Sequence, residues 1–210
     1  MVWPHLHELR PYLHELRPFF RALTNFGDSI ITLPIAALVL IWLAIWGDRK
    51  TRLAWFAGLI VCAALTATLK IYFKACPVAG LDLDSPSGHT SLSLYVYGGL
   101  TLITAARVDR WRRSGMLIFG GLFILGIALS RALLEYHSKI EVAIGLVIGA
   151  AALVLFWLPY RTRLPVHMPV WPLWLAALMP IAFLSGQSIS AEGLLFRIAL
   201  YIHGIVGFCV

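Results

Sequence analysis

Three short clusters of polar residues interrupt an otherwise apolar chain: Lys70 to Lys74, Ser85 to Thr90, and Ser130 to Glu141. Ionisable groups at membrane depth are costly and mark functional positions. In the middle cluster, Ser85 suits a helix N-cap and Pro86 a first helical turn, so an apolar span opens here. Free amides at a helix start receive anions, Gly88 lets a ligand approach the backbone, and His89 points into the same space. That cluster alone reads equally well as a plain cap beside an incidental histidine. The third cluster adds a constraint. Arg131 and His137 lie about 240° apart around a helix, so they converge only if the chain turns between them. His137 and Glu141 are spaced i, i+4, on one helical face. A carboxylate there can accept a hydrogen bond from one ring nitrogen, fix the tautomer and leave the other nitrogen free to attack. Ion pairing of Glu141 with Lys139 or Arg131, without a catalytic role, is the alternative.

The elements that must position these residues follow from hydropathy. Of 210 residues, 60% are hydrophobic and 13% charged, against about 25% charged in soluble domains. Apolar blocks near the ~20 residues that cross a bilayer fall at roughly 28–46, 53–73, 89–106, 115–134, 140–158 and 169–185. A further segment, 193–208, is broken by Arg197 and His203 and reads either as a seventh span or as interfacial. Backbone groups inside lipid must be paired within each segment, and the alternating strands of a barrel are absent. The expected class is all-α: one bundle of about six transmembrane helices over 28–210. Residues 1–27 form an N-terminal segment with a tandem repeat, Leu6–Tyr12 and Leu13–Phe19, whose mixture of Leu, aromatics, His, Glu and Arg predicts an amphipathic stretch on the membrane surface. Pro11 and Pro18 are each expected to interrupt a helix there. His7 and His14 read as solvated surface residues, since no carboxylate–histidine cluster with metal-ligand spacing accompanies them. No cleavable signal peptide is read at the start. Cys62, Cys76 and Cys209 suggest no paired framework, and Cys62 reads as a small buried hydrophobe.

Charge gives the orientation. Arg49, Lys50, Arg52, Arg107, Arg110, Arg112, Arg113, Arg161 and Arg163 lie in turns on one side, against only Asp48 and Asp109. These account for the whole formal charge of +7. The basic side is expected to be cytoplasmic, so the charge is a topology signal and no nucleic-acid partner is implied. All three polar clusters are then expected to face outside, which for a Gram-negative protein is the periplasm.

Pro86-Ser87-Gly88-His89, followed by Ser130-Arg131, five residues, His137, three residues and Glu141, resembles the second and third motifs of the type 2 phosphatidic acid phosphatase family. That family includes bacterial undecaprenyl-pyrophosphate phosphatases, glucose-6-phosphatase and vanadium haloperoxidases. The resemblance covers about 70–150. It implies a helical bundle and, for the membrane phosphatases, six spans and no metal or other cofactor. By the same resemblance His137 looks like the nucleophile that forms a phosphohistidine, and Glu141 like its orienting carboxylate. His89 looks like the general acid for the leaving group. Ser87, the Gly88 amide, Arg131 and Lys70 would hold the phosphoryl oxygens. Two departures stand out. Glu141 replaces the family's usual Asp. In the first motif, Lys followed by six residues and Arg-Pro, Lys70 fits, but Pro77 and Val78 occupy the Arg-Pro positions. Losing one charge-assisted bond to phosphate costs about 1.5–3 kcal/mol. Lys74, one turn beyond Lys70, either substitutes for it or snorkels to the interface.

These readings imply a metal-independent phosphatase acting on a lipid phosphate or diphosphate, of phosphatidic acid, phosphatidylglycerol phosphate or undecaprenyl pyrophosphate type. The expected location is the inner membrane, with the bilayer and the lipid substrate as partners and the oligomeric state left open. Lipid-to-lipid phosphotransfer through the same pocket and a non-catalytic phospholipid-binding bundle are the alternatives. Asp82 and Asp84 read as a solvated loop or as a filter against highly charged headgroups.

Overall fold

A computed structural model describes residues 6–76, 83–162 and 169–184, with backbone alone for 6–14. Within these residues every regular element is a helix. They are α1 (Leu6–Asn25), α2 (Ser29–Trp46), α3 (Arg49–Ala75), α4 (Gly88–Ala105), α5 (Arg110–Leu133), α6 (Lys139–Arg161) and α7 (Trp171–Leu184).

Short polar side chains decide where the helices begin. Asp28 accepts from the Ile30 amide, Asp48 from those of Lys50 and Thr51, Asp109 from Arg112, and Ser138 from Glu141. Each satisfies amides that the helix itself leaves unpaired. The start of α4 differs from expectation. Ser87, not Ser85, is the N-cap, and Pro86 precedes the helix. Glu141 holds this approach in place: its Oε1 accepts from the Ser85 amide at 2.6 Å and its carbonyl from the Ser87 amide at 3.1 Å. Helical pairing starts only beyond them.

Pro11 and Pro18 also depart from expectation, because α1 runs through both. A proline removes one backbone donor, and the turns on either side keep their own bonds. The end of α1 packs against α5, where Phe26 meets Phe123 edge-on at 5.6 Å.

The centre of the bundle is α4, buried on nearly all sides between α3, α5 and α6. Trp55 of α3 stacks on Tyr95 at 4.8 Å and meets Phe156 of α6 edge-on at 4.9 Å. Two glycines let α6 approach α4 at backbone distance. A Cβ at Gly145 would lie 2.7 Å from the Ser87 carbonyl oxygen, and one at Gly149 would lie 2.6 Å from that of Ser91. Small residues one turn apart are a common device for close helix crossing in membranes. Here they press the start of α6 onto the start of α4.

Among the described residues, four helical stretches are long and apolar enough to cross a membrane: Glu15–Trp46, Arg49–Ala75, Arg110–Leu133 and Lys139–Arg161. The last two carry side chains that face outward, such as Phe119 at 76% and Val147 at 69% exposure. That pattern is the signature of an integral membrane protein. The exact count of six expected spans is not confirmed among the described residues. The α4 helix lacks the apolarity, as its sequence holds Ser91, Ser93 and two tyrosines, and α7 has 14 residues. Segment 193–208 lies outside the described residues.

Because the helices alternate in direction, one end of the bundle collects the starts of α2, α4 and α6 and the ends of α3 and α5. The polar clusters fall there. The opposite end carries Arg49, Lys50, Arg52, Arg107, Arg110, Arg112, Arg113 and Arg161. Cys62 is free and fully buried, as expected, but Cys76 is disulfide-bonded, which corrects the expectation of no pairing. Cys62 sits mid-helix in α3, whereas Cys76 lies where α3 ends.

Candidate active site

The turn required between Arg131 and His137 is present, and its geometry is specific. The Tyr136 amide donates to the Arg131 carbonyl at 3.0 Å and the Glu135 amide to that of Ala132 at 3.2 Å. Together they form a Schellman closure of α5. Such a closure needs a left-handed residue, and Glu135 adopts φ 60°, the one non-glycine with positive φ among the described residues. The chain reverses, so Arg131 and His137 can reach one space.

His137 Nδ1 lies 2.7 Å from Glu141 Oε2, and both side chains are 6% exposed. Glu141 is engaged on both oxygens. Oε2 also accepts from the Ser138 amide at 3.1 Å, and Oε1 accepts from the amides of Asp84 at 2.7 Å and Ser85 at 2.6 Å. One carboxylate therefore closes the capping box of α6, clamps the strand of chain leading into α4, and fixes the His137 ring. Burial holds the His137 imidazole below its ordinary value. The bond from Glu141 pulls the other way, and the charges of Arg131 and Lys70 reinforce the lowering. The result is a neutral ring with Nδ1 tied to a carboxylate and Nε2 carrying the lone pair.

Cations surround this ring. Lys70 is 4% exposed, and its Nζ lies 3.9 Å from where a Gly88 Cβ would stand. A Cβ at Gly88 would make only ordinary contacts, so the protein's own packing does not require glycine there. Arg131 is 7% exposed, with its guanidinium 4.7 Å above the Tyr136 ring and Nη1 donating to Thr24 Oγ1 at 3.3 Å. Ser87 is fully buried and its hydroxyl accepts from the Thr90 hydroxyl at 2.9 Å. His89 stands at the first turn of α4, its Nε2 3.8 Å from Asp28 Oδ2.

Lys70, Ser87, Gly88, Arg131, His137 and Glu141 thus gather at one end of the bundle, with His89 beside them. Lys74 is exposed on α3, a turn from buried Lys70. Pro77 and Val78, where the first motif departs from the family, lie outside the described residues, as does Asp82. Three contributors are missed by sequence reasoning. Ser138 carries a legible signal, since Ser followed three residues later by Glu is a capping box. Thr24 and Asp28 carry none beyond Asp28's aptness as a helix cap, because their partners lie far along the chain.

A carboxylate-held imidazole beside buried cations at one end of a helical membrane bundle is an arrangement suited to receiving an anion. The sequence profile described as PAP2 superfamily matches residues 70–165. The chain is also similar to an "uncharacterized 22.5 kDa protein in cps region" of Klebsiella pneumoniae, 33% identical over 187 residues, covering 83% of this chain and 87% of that one. No solved structure matches. The chain belongs to the PAP2 superfamily.

Proposed function

We propose that the protein is a metal-independent membrane phosphatase that removes a phosphate from a lipid phosphate or diphosphate through a phosphohistidine at the non-cytoplasmic face. The observation that carries this reading is the His137–Glu141 pair at 2.7 Å, with Arg131 and Lys70 acting on the same ring.

The lone pair on His137 Nε2 attacks phosphorus, and the bond to the leaving oxygen breaks. His89 gives that oxygen its proton, so the lipid leaves as a neutral alcohol or a shorter phosphate. Arg131, Lys70 and the amides at the start of α4 neutralise the charge on the equatorial oxygens. Water then attacks the phosphohistidine, His89 takes up its proton, and inorganic phosphate departs. Glu141 keeps Nδ1 paired throughout, stabilising the positive charge that develops on the ring.

Support for a lipid substrate is positional. The site lies where headgroups would sit, at the ends of helices whose flanks are apolar. Tyr72 and Tyr136, each 50% exposed, stand near that end, as interfacial aromatics do. Support for the non-cytoplasmic side comes from the basic residues at the opposite end and from the disulfide-bonded Cys76, since disulfides persist in oxidising compartments. The test is phosphate release from phosphatidic acid, phosphatidylglycerol phosphate and undecaprenyl pyrophosphate in EDTA, with wild type beside His137→Ala. Release by the wild type and none by the variant is expected. Equal release by both would sink the reading.

A further inference from the structure

The corner between α1 and α2 is wedged into the same end of the bundle. The Phe26 carbonyl accepts from Tyr97 Oη of α4 at 2.7 Å. Gly27 fills a slot in which a Cβ would come within 2.8 Å of Ile127, 2.9 Å of the Ser93 hydroxyl and 3.2 Å of His89 Cβ. The corner is thus fixed between α4 and α5, and it turns two polar side chains toward the site. Thr24 takes a bond from Arg131. Asp28 divides its carboxylate: Oδ1 accepts from the Ile30 amide at 3.1 Å and the Ser29 hydroxyl at 3.3 Å, while Oδ2 faces His89 Nε2 at 3.8 Å.

We propose that Asp28 is a positioning residue for His89, its carboxylate orienting the imidazole and holding it in the protonated, proton-donating form. This rests on the functional reading above for what His89 does. The argument is one of charge. At 3.8 Å the contact is an ion pair and not a hydrogen bond, so it acts through electrostatics. An opposite charge within about 4–6 Å favours the charged form of a group. The charged groups brought to this end of α4 by neighbouring elements are Lys70 of α3, Arg131 of α5, and His137 and Glu141 at the start of α6. Lys70 and Arg131 both oppose a third cation. Glu141 is committed to His137 and to backbone amides, and among the described residues Asp28 places a carboxylate oxygen 3.8 Å from His89 Nε2. Both side chains are about one-fifth exposed, 20% for His89 and 22% for Asp28, so water screens the pair in part.

The test uses the full-length protein in detergent and Asp28→Asn, because asparagine caps a helix as well as aspartate and only the charge is lost. The pH dependence of kcat is measured with a short-chain phosphatidic acid. The alkaline limb, where His89 loses its proton, is expected to move to lower pH by about one unit, with KM little changed and Asp28→Glu restoring part of the shift. In parallel, ¹⁵N-histidine NMR follows the His89 ring directly, assigned with His89→Gln. Its titration is expected to move in the same direction, whether or not the wild type turns over lipid. An alkaline limb and a His89 titration both unmoved in the folded Asp28→Asn protein would overturn the proposal. A wild type that releases no phosphate, with a His89 titration that still depends on Asp28, would overturn the functional reading and keep the pairing.

Discussion

Two histidine–carboxylate pairs stand at the same end of this bundle, and they are built for opposite outcomes. His137, just before the cap of α6, and Glu141, in its first turn, are nearly dry and at hydrogen-bond distance. His89 and Asp28 come from different helices, are partly wet, and meet at 3.8 Å. In the first pair burial is the largest influence on the ring and disfavours its charge. The second pair keeps contact with water and gains a negative neighbour, so the ring can carry its proton. A nucleophile must be neutral and a general acid must be charged. Under the proposed mechanism, the difference means that depth and partner distance, more than residue type, would assign the two roles.

The comparison can be broken most severely at the buried pair. His137→Ala is expected to abolish phosphoenzyme formation and reduce phosphate release by about a thousandfold or more, read by acid-quenched trapping with labelled lipid. Glu141→Gln removes the charge while keeping the shape. A loss of about ten- to a hundredfold in kcat is expected, the worth of one charge-assisted bond. Its pH profile carries the sign. Since the His137 value already lies below 6.5, the wild-type acid limb falls only when pH drops below that figure. Glu141 raises the value, so its neutralisation moves the acid limb lower still. Asp28→Asn moves the alkaline limb instead, so the two variants touch opposite sides of one bell. If both moved the same limb, the division of labour between the pairs would be wrong.

Smaller changes sharpen the picture. Thr24→Ala removes the hydroxyl that steadies Arg131, and an effect on KM of about two- to tenfold is expected from one lost hydrogen bond, measured by steady-state kinetics. Glu135→Gly relieves a left-handed backbone at the turn that joins Arg131 to His137. It should stabilise the folded protein by about 1 kcal/mol, seen as a higher midpoint of thermal unfolding with kcat unaltered. A lower midpoint would mean that the Glu135 side chain contributes more than its conformation costs.

Much of this is legible in the residues alone. The apolar blocks imply the all-helical class, because lipid leaves a backbone few other ways to pair its polar groups. The short spacing of His137 and Glu141 implies that the two can meet, although His137 precedes the extended cap Ser138 of α6, and it is the capping turn that brings the ring to the carboxylate. Even the reversal after Arg131 follows from geometry. The departures share a cause. Ser85 has the chemistry to cap α4, but Ser87 takes that place, and the backbone of both is held by Glu141, a partner distant in sequence. Pro11 and Pro18 have the chemistry to interrupt a helix, yet α1 runs on through both, and its end packs on α5. The α4 segment resembles the other expected spans in length, but it is the buried axis of the bundle and is less apolar than the four helical stretches long and apolar enough to cross a membrane.

What the sequence determined by itself, then, is whatever depends on neighbours along the chain: which segments are helices, where most caps fall, and that His137 can be held by Glu141. What only the tertiary structure decided is which elements meet. Asp28 is an ordinary helix cap in sequence and Thr24 an ordinary threonine. They reach His89 and Arg131 because Gly27 fits a slot between α4 and α5 that no local rule describes. Contacts within a helical turn are fixed by backbone geometry. Those between helices depend on packing, and packing is a property of the whole chain.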